Sequence, residues 1–228
     1  MNIQKKRKPC VAWRNVWLLL ILAVSSCAFS VEEIESIPAI LVKRISGEGQ
    51  RLLLVGDSRT YSWPDGYFTR YEIWNWAGAG SQTRHWLAWT EAHSPVMKER
   101  YDTAIVCLGI NDAGLFPDLK PSADSLALIC TRLKSVADRV YITTVPSVFP
   151  GGVISDDRIE AYVLTADYLN RMIRGAGLAF TDGIIDIAAI MNTRDGFLKS
   201  VFNADGIHFT PSAYDFMEAA YLYVIENP

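Results

Sequence analysis

Four short segments of the 228-residue chain, far apart in the sequence, carry groups suited to acyl transfer. They are Gly56-Asp57-Ser58, Ala77-Gly78-Ala79-Gly80, Gly109-Ile110-Asn111-Asp112 and Asp205-Gly206-Ile207-His208. Serine becomes a nucleophile only when a neighbouring base takes its proton, and histidine, whose pKa in short peptides is about 6.5, suits that task near neutral pH. The hydroxyl, imidazole, carboxylate and amide donors of these segments therefore predict a nucleophilic hydrolase.

Each of these groups has a predicted role in such a reaction. Ser58 is the candidate nucleophile and His208 its base, while Asp205, three residues before His208 on a tight turn, can hold the other ring nitrogen. The tetrahedral intermediate needs fixed hydrogen-bond donors, each contributing roughly 3 kcal/mol in comparable sites. The amides of Ser58 and Gly80 and the side chain of Asn111 are the candidate donors of this oxyanion hole.

Short apolar runs alternate with stretches of helical period along the chain, and they predict how these segments are positioned. The predicted strands cover residues 52–55, 71–76, 104–108 and 140–145, and the predicted helices cover 122–137, 156–173 and 211–225. This alternation favours a parallel sheet with helices on both faces. Ligand sites of such sheets lie beyond the carboxyl ends of the strands, where three of the four segments fall.

Taken together and in this order, the segments resemble the motifs of the GDSL or SGNH hydrolase family. The matching blocks are Gly56-Asp57-Ser58, Asn75 with Gly80 five residues on, residues 109–111, and residues 205–208. The resemblance implies a flavodoxin-like three-layer α/β/α sandwich in a single domain. It also implies the same nucleophile, base, orienting carboxylate and oxyanion donors, with no metal or cofactor.

Two departures from the family pattern concern the site. Arg59 stands where the family commonly has Leu, and it could bind an anionic group of the substrate or pair with a carboxylate such as Asp57 or Asp112. Gly78 falls one position later than the family's first glycine, which leaves open which amide faces the site. Trp63, in a Pro-Asp-Gly turn five residues after the nucleophile, is expected to line the site.

Several other classes of protein are disfavoured by the sequence. Thr60 replaces the second glycine of a Gly-x-Ser-x-Gly elbow, and neither a dinucleotide fingerprint nor a phosphate loop is present. The chain has three His and no metal-ligand spacing. After residue 30, 17 of the 22 basic side chains remain beside all 25 acidic ones, and a net charge of −8 argues against nucleic acid as a partner.

The first thirty residues predict an export signal, because a basic segment at 5–8 precedes an apolar run at 16–24 that is short for a membrane span. Cleavage after Ser30, lipidation at Cys27 and a retained membrane anchor all remain possible for this leader. Residues 31–228 would then form the hydrolase domain. Within it, Cys107 and Cys130 are expected to be buried free thiols, although a disulfide between them stays open.

These observations together predict an exported serine esterase, in the periplasm, on the cell surface or secreted. Its substrate would be a small-molecule or glycan ester, with short acyl groups such as O-acetyl on carbohydrate, and it would meet the membrane only through the N-terminal segment. A lipid esterase, a lysophospholipase or a thioesterase could use the same groups. A non-catalytic glycan-binding module on the same fold is the alternative of another class.

Overall fold

A six-stranded sheet forms the centre of the structure, a computed structural model that describes residues 41–45, 49–93, 99–176 and 179–228. The strands are β1 (Leu41–Ile45), β2 (Gln50–Gly56), β3 (Tyr71–Ala77), β4 (Tyr101–Cys107), β5 (Ala137–Thr143) and β6 (Gly183–Ile185). Their order is β1-β3-β2-β4-β5-β6, with β1 antiparallel to β3 and all other pairs parallel. The predictions for the leader, residues 1–30, lie outside the described residues.

Helices cover both faces of this sheet. They are α1 (Ser58–Tyr61), α2 (Thr83–His93), α3 (Lys120–Leu133), α4 (Asp156–Ala176), α5 (Ala188–Met191) and α6 (Pro211–Glu226), with 3-10 turns at Ile110–Leu115 and Ser200–Phe202. None of the described helices combines the length and hydropathy that crossing a membrane requires. The described residues, from 41 to 228 with the gaps given above, belong to one compact unit.

Strand β2 shows why the sheet is buried on both faces. Its residues 52–55 are at most 1% exposed, and alternate side chains point to opposite faces of a strand. Leu53 and Val55 pack in the apolar cluster that contains residues of α2, α3 and α4. Leu52 and Leu54 pack in the cluster that contains residues of α6. The predicted three-layer α/β/α sandwich is therefore confirmed.

The strand order places the carboxyl end of β2 at the point where the chain changes direction across the sheet. The chain passes from β2 to β3 on one side and then crosses to β4 on the other. Counted from β2, the five parallel strands follow the order 2-1-3-4-5, which is the flavodoxin-like arrangement, and ligands of such sheets bind at this switch point. The segments after β2, β3 and β4 therefore meet at one edge.

Two strands and some boundaries differ from the sequence prediction. Neither β1 nor β6 was predicted, and the three residues of β6 are too few to show a period. Strand β5 begins at Ala137, so α3 ends at Leu133 rather than at 137. Val136 is buried in the connecting turn, where its amide donates to the Leu133 carbonyl at 2.9 Å. Because this buried apolar residue continues the spacing of the apolar face of α3, the sequence pattern extended the predicted helix too far.

Cys107 and Cys130 are free thiols, 6% and 0% exposed, which confirms the prediction made for them. Burial raises the pKa of Cys107 to about 11 and that of Cys130 to about 12, so the reactive thiolate is scarce near neutral pH.

Iodoacetamide should therefore leave both residues unmodified in the native protein and modify both in concentrated guanidinium chloride. Mass spectrometry of the digested protein measures the two sites separately from Cys10 and Cys27. If the two cysteines resist iodoacetamide in guanidinium chloride and react only after a reductant is added, they form a disulfide and this prediction is contradicted.

Candidate active site

Ser58 lies at the carboxyl end of β2, as the first residue of α1. Asp57 caps this short helix, because its carboxylate accepts a hydrogen bond from the Arg59 amide at 2.9 Å. A Cβ atom at Gly56 would lie 1.8 Å from the Thr60 hydroxyl oxygen, so only glycine fits where the strand turns directly into the helix. The buried strand thus fixes the position of the Ser58 hydroxyl.

The turn at residues 205–208 brings a carboxylate and an imidazole to Ser58. One oxygen of Asp205 accepts hydrogen bonds from the amides of Ile207 and His208 at 3.0 and 2.8 Å. Its other oxygen lies 2.7 Å from Nδ1 of His208. With Nδ1 donating to Asp205, Nε2 of His208 is left to accept, and it lies 3.1 Å from Oγ of Ser58.

The Asp205 carboxylate is well suited to stabilise a positive charge on the imidazole. Burial opposes ionisation of this carboxyl, but the hydrogen bonds from the His208 ring and from the amides of His208 and Ile207 outweigh it and lower its pKa to about 2. The side chains of His208 and Asp205 are 40% and 37% exposed. The candidate base therefore faces solvent at the rim of the sheet.

Of the two glycine amides left open by the sequence, the structure leaves Gly80 available. The Gly78 amide donates to the Gly56 carbonyl at 3.1 Å, which extends the ladder of the sheet. The Ser81 amide donates to the Gly78 carbonyl at 3.1 Å and closes a turn in which Gly80 has φ +71°. Within the described residues the exposed Gly80 amide makes no hydrogen bond.

Asn111 is tied to that same turn. It follows Gly109 at the carboxyl end of β4, and its Nδ2 donates one hydrogen to the Ser81 carbonyl at 3.0 Å. An amide nitrogen has two hydrogens, so the second can serve a ligand. The Ser58 amide, at the first position of α1, is one of the donors that a helix start leaves unpaired. The three predicted oxyanion donors thus lie at the ends of neighbouring strands.

Two buried carboxylates lie close to these groups and hold the backbone. Asp112 is 0% exposed and accepts from the amide and the hydroxyl of Thr83 at 3.0 and 2.6 Å, at the start of α2. Burial raises the pKa of Asp112, and it raises that of Asp57 to about 6 despite the nearby charge of Arg59.

In the described part of the chain, no three His, Cys, Asp or Glu side chains are grouped to hold a metal ion.

The expectation that Arg59 binds substrate is wrong, and the charge of Asp57 acts on Arg59 without a direct ion pair. Its side chain is 1% exposed, and within the described residues it forms no ion pair with Asp57 or Asp112. Each nitrogen of the guanidinium instead donates to a backbone carbonyl, namely those of Ile207, Pro146 and Ser147. Sequence position beside the nucleophile could not reveal that the side chain turns inward.

The expectation that Trp63 lines the site is also wrong. Trp63 is 4% exposed, and its ring centroid lies 5.2 to 5.4 Å from those of Phe68, Tyr214 and Tyr221. Burial of so large an apolar ring against Phe68 and the tyrosines of α6 outweighs any placement at the rim.

The loop after β5, residues 146–153, was missed by the sequence analysis although it contacts the turn at 205–208. The amides of Phe149 and Val153 donate to the carbonyls of Gly206 and Asp205 at 2.8 and 2.7 Å. A Cβ atom at Gly152 would lie 2.0 Å from the Asp205 carbonyl oxygen. The adjacent glycines at 151 and 152 were the one signal of this close backbone contact.

Comparison with known proteins agrees with the fold and the motifs. The sequence matches the model of the GDSL-like lipase/acylhydrolase family over residues 49–216, and the chain belongs to this family. The resemblance inferred from the motifs is thereby confirmed, and the chain is a hydrolase acting on ester bonds. No curated protein matches the sequence.

Three solved structures show the same fold at low sequence identity. A GDSL-like lipase from Bacteroides thetaiotaomicron is 18% identical with TM-score 0.62, over 93% of this chain and 96% of that one. A member of the lipolytic G-D-S-L family from Veillonella parvula is 15% identical with TM-score 0.61, over 79% and 100%. A catalytic mutant of an acetylxylan esterase from Geobacillus stearothermophilus is 15% identical with TM-score 0.56, over 81% and 97%.

The buried carboxyl of Asp57 predicts a measurable dependence of stability on pH. Its pKa of about 6 in the folded protein exceeds the ordinary value of 3.8, so between these pH values the folded state binds more protons than the unfolded state. Its contribution to stability is therefore full below pH 3.8 and is lost as the pH rises through 6. Two pKa units correspond to about 3 kcal/mol.

Asp57→Asn keeps an acceptor for the Arg59 amide but cannot ionise. Relative to this variant, the wild-type protein should lose about 3 kcal/mol of unfolding free energy between pH 3 and 7. Urea denaturation at a series of pH values measures the difference, and parallel curves for the two proteins would contradict it.

Proposed function

We propose that this hydrolase is a serine esterase in which Ser58, His208 and Asp205 act as a catalytic triad. The observation that carries the proposal is the continuous pair of contacts at 3.1 Å from Ser58 to His208 and 2.7 Å from His208 to Asp205. Nucleophile, base and orienting carboxylate within such distances are what activation of a serine hydroxyl requires.

The reaction follows from this geometry in two halves. As Ser58 Oγ attacks the ester carbonyl carbon, Nε2 of His208 takes its proton, and Asp205 stabilises the resulting imidazolium. His208 then gives this proton to the alkoxy oxygen as the bond between that oxygen and the former carbonyl carbon breaks, so the alcohol leaves and an acyl-enzyme remains on Ser58. In the second half, a water molecule gives its proton to His208 and attacks the acyl-enzyme. The proton then passes to Ser58 Oγ, so the carboxylic acid is released and the Ser58 hydroxyl is restored.

The negative charge of each tetrahedral intermediate develops on the former carbonyl oxygen. The amides of Ser58 and Gly80 and the second Nδ2 hydrogen of Asn111 are its proposed donors. All three are held by backbone contacts before substrate binds, and donors fixed in advance cost little reorganisation at the moment of reaction.

The proposed substrates are short acyl esters, O-acetyl above all, on carbohydrate of the cell envelope or outside the cell. Partial exposure of His208 and Asp205 and exposure of Gly80 leave room beside the site for a bulky alcohol. The similar acetylxylan esterase carries the same fold. The leader motif supports export, and an acidic domain agrees with a neutral glycan rather than a polyanion.

Lipid esters are a second candidate class, favoured by two exposed apolar side chains. Tyr61, on the same helix as Ser58, is 46% exposed, and Val153, next to the contact between Gly152 and Asp205, is 69% exposed. Such side chains could bind a longer acyl chain.

Ser58→Ala should lower kcat for p-nitrophenyl acetate on the order of 10⁴-fold or more and abolish labelling by a fluorophosphonate, because the nucleophile is lost. Ser62→Ala is the matched control, since this exposed serine ends the same helix. Undiminished turnover in Ser58→Ala would refute the assignment. A wild-type protein that binds acetylated xylo-oligosaccharide but is never labelled would instead support a binding module.

A series of p-nitrophenyl esters from acetyl to octanoyl distinguishes the two substrate classes. We expect kcat/KM to fall by about tenfold or more along the series, because each unaccommodated methylene reduces transition-state binding. Release of acetate from acetylated xylan should accompany this preference. An increase in kcat/KM with chain length, together with hydrolysis of a lysophospholipid, would show that lipid esters are preferred.

A further inference from the structure

Arg59 makes contacts that neither substrate binding nor an ion pair explains. It directly follows Ser58 in α1, yet its side chain is 1% exposed. Its Nε donates to the Ile207 carbonyl at 2.8 Å and its Nη2 to the Ser147 carbonyl at 2.6 Å, while Nη1 donates to the Pro146 carbonyl. Its Cζ atom lies 4.5 Å from the centroid of the Phe209 ring.

Two of these partners are the residues before and after His208 in the chain. Ile207 directly precedes His208 and Phe209 directly follows it, so the guanidinium holds the backbone before the base and the ring after it. The side chain that does so belongs to the residue next to Ser58. The distance between nucleophile and base is therefore bridged twice, once by their own hydrogen bond and once by Arg59.

The other hydrogen bonds of the turn at 205–208 act on different distances. Asp205 fixes the ring of His208 relative to its own turn, and the amides of Phe149 and Val153 fix that turn relative to the loop at 146–153. The hydrogen bonds from the Arg59 guanidinium to the carbonyls of Pro146 and Ser147 join this loop to α1. Arg59 thus connects the loop, the turn and the helix of Ser58.

The chemistry of the guanidinium suits this task. A planar, permanently charged guanidinium can donate hydrogen bonds in several fixed directions at once. Hydrogen bonds from a charged donor are about twice as strong as those from a neutral donor. The backbone of Arg59 is fixed as well, because the Tyr214 hydroxyl of α6 donates to its carbonyl at 2.9 Å. Both ends of the connection are therefore anchored.

We propose that Arg59 is a positioning residue that sets the distance and angle between Ser58 and His208 for ester hydrolysis. The inference rests on the proposed function of these two residues. It predicts that Arg59 contributes to turnover rather than to substrate binding, because its side chain is buried away from any ligand. A displacement of about 1 Å at a reacting group can cost about 100-fold in rate.

The test compares Arg59→Leu and Arg59→Lys with the control Arg51→Leu in p-nitrophenyl acetate hydrolysis. Arg51 lies at the other end of β2, where it donates to the Arg100 carbonyl at 2.6 Å and its Cζ atom is 4.9 Å from the Tyr101 ring centroid. Assays are run below the unfolding temperature of every variant. The control thus reports what loss of a structural arginine does to turnover far from the site.

Arg59→Leu should lower kcat about 100-fold with KM changed by less than about twofold. Arg59→Lys keeps the positive charge but replaces the planar guanidinium with an ammonium group, so kcat should still fall by about tenfold or more. Arg51→Leu should keep the wild-type kcat. If Arg59→Leu does not fold, the lysine variant decides the question.

Wild-type kcat in Arg59→Lys, or equal losses in the Arg59 and Arg51 variants, would overturn the positioning role while leaving the proposed triad intact. A rise in KM with constant kcat would overturn it in favour of substrate binding. A wild-type protein without ester hydrolysis would overturn the proposed triad and this inference together, so the two failures are distinguishable.

Discussion

The hydrogen bond between Ser58 and His208 joins residues 150 positions apart in the chain, and the other contacts of the site keep it at 3.1 Å. A strand buried on both faces fixes one end of this bond. The other end lies on a surface turn outside the sheet, which is closed by an isolated antiparallel bridge between Asn203 and Phe209. Close backbone contact at Gly152, two amide donors from the loop at 146–153 and the guanidinium of Arg59 add further constraints.

Charged side chains near the site therefore divide into two groups. Asp57, Arg59 and Asp112 are at most 2% exposed and hydrogen-bond to backbone groups, because loops beyond a sheet edge leave donors and acceptors that burial requires to be paired. Asp205 and His208 are partly exposed and bond to each other. The buried charges hydrogen-bond to the backbone around the site, and the exposed pair supplies the base and carboxylate of the proposed reaction.

Much of the fold could be predicted from the sequence, because the central strands and long helices have strong periods. The run at 52–55 and the apolar face of α4 place their residues in the core as expected. The edge elements β1 and β6 could not be predicted in this way. An edge strand or a strand of three residues is defined by pairing with its neighbour, and pairing leaves little trace in a local pattern.

The sequence alone determined the chemical groups of the site, since residue types and their order along the chain specify Ser58, Asp205 and His208 and the family to which they belong. Tertiary structure alone decided which glycine amide is free, and it turned Arg59 and Trp63 inward. The reason is physical. The reactivity of a group belongs to the residue itself, whereas the direction of a side chain depends on distant segments, such as the carbonyls at 146, 147 and 207, that become its neighbours only in the folded chain.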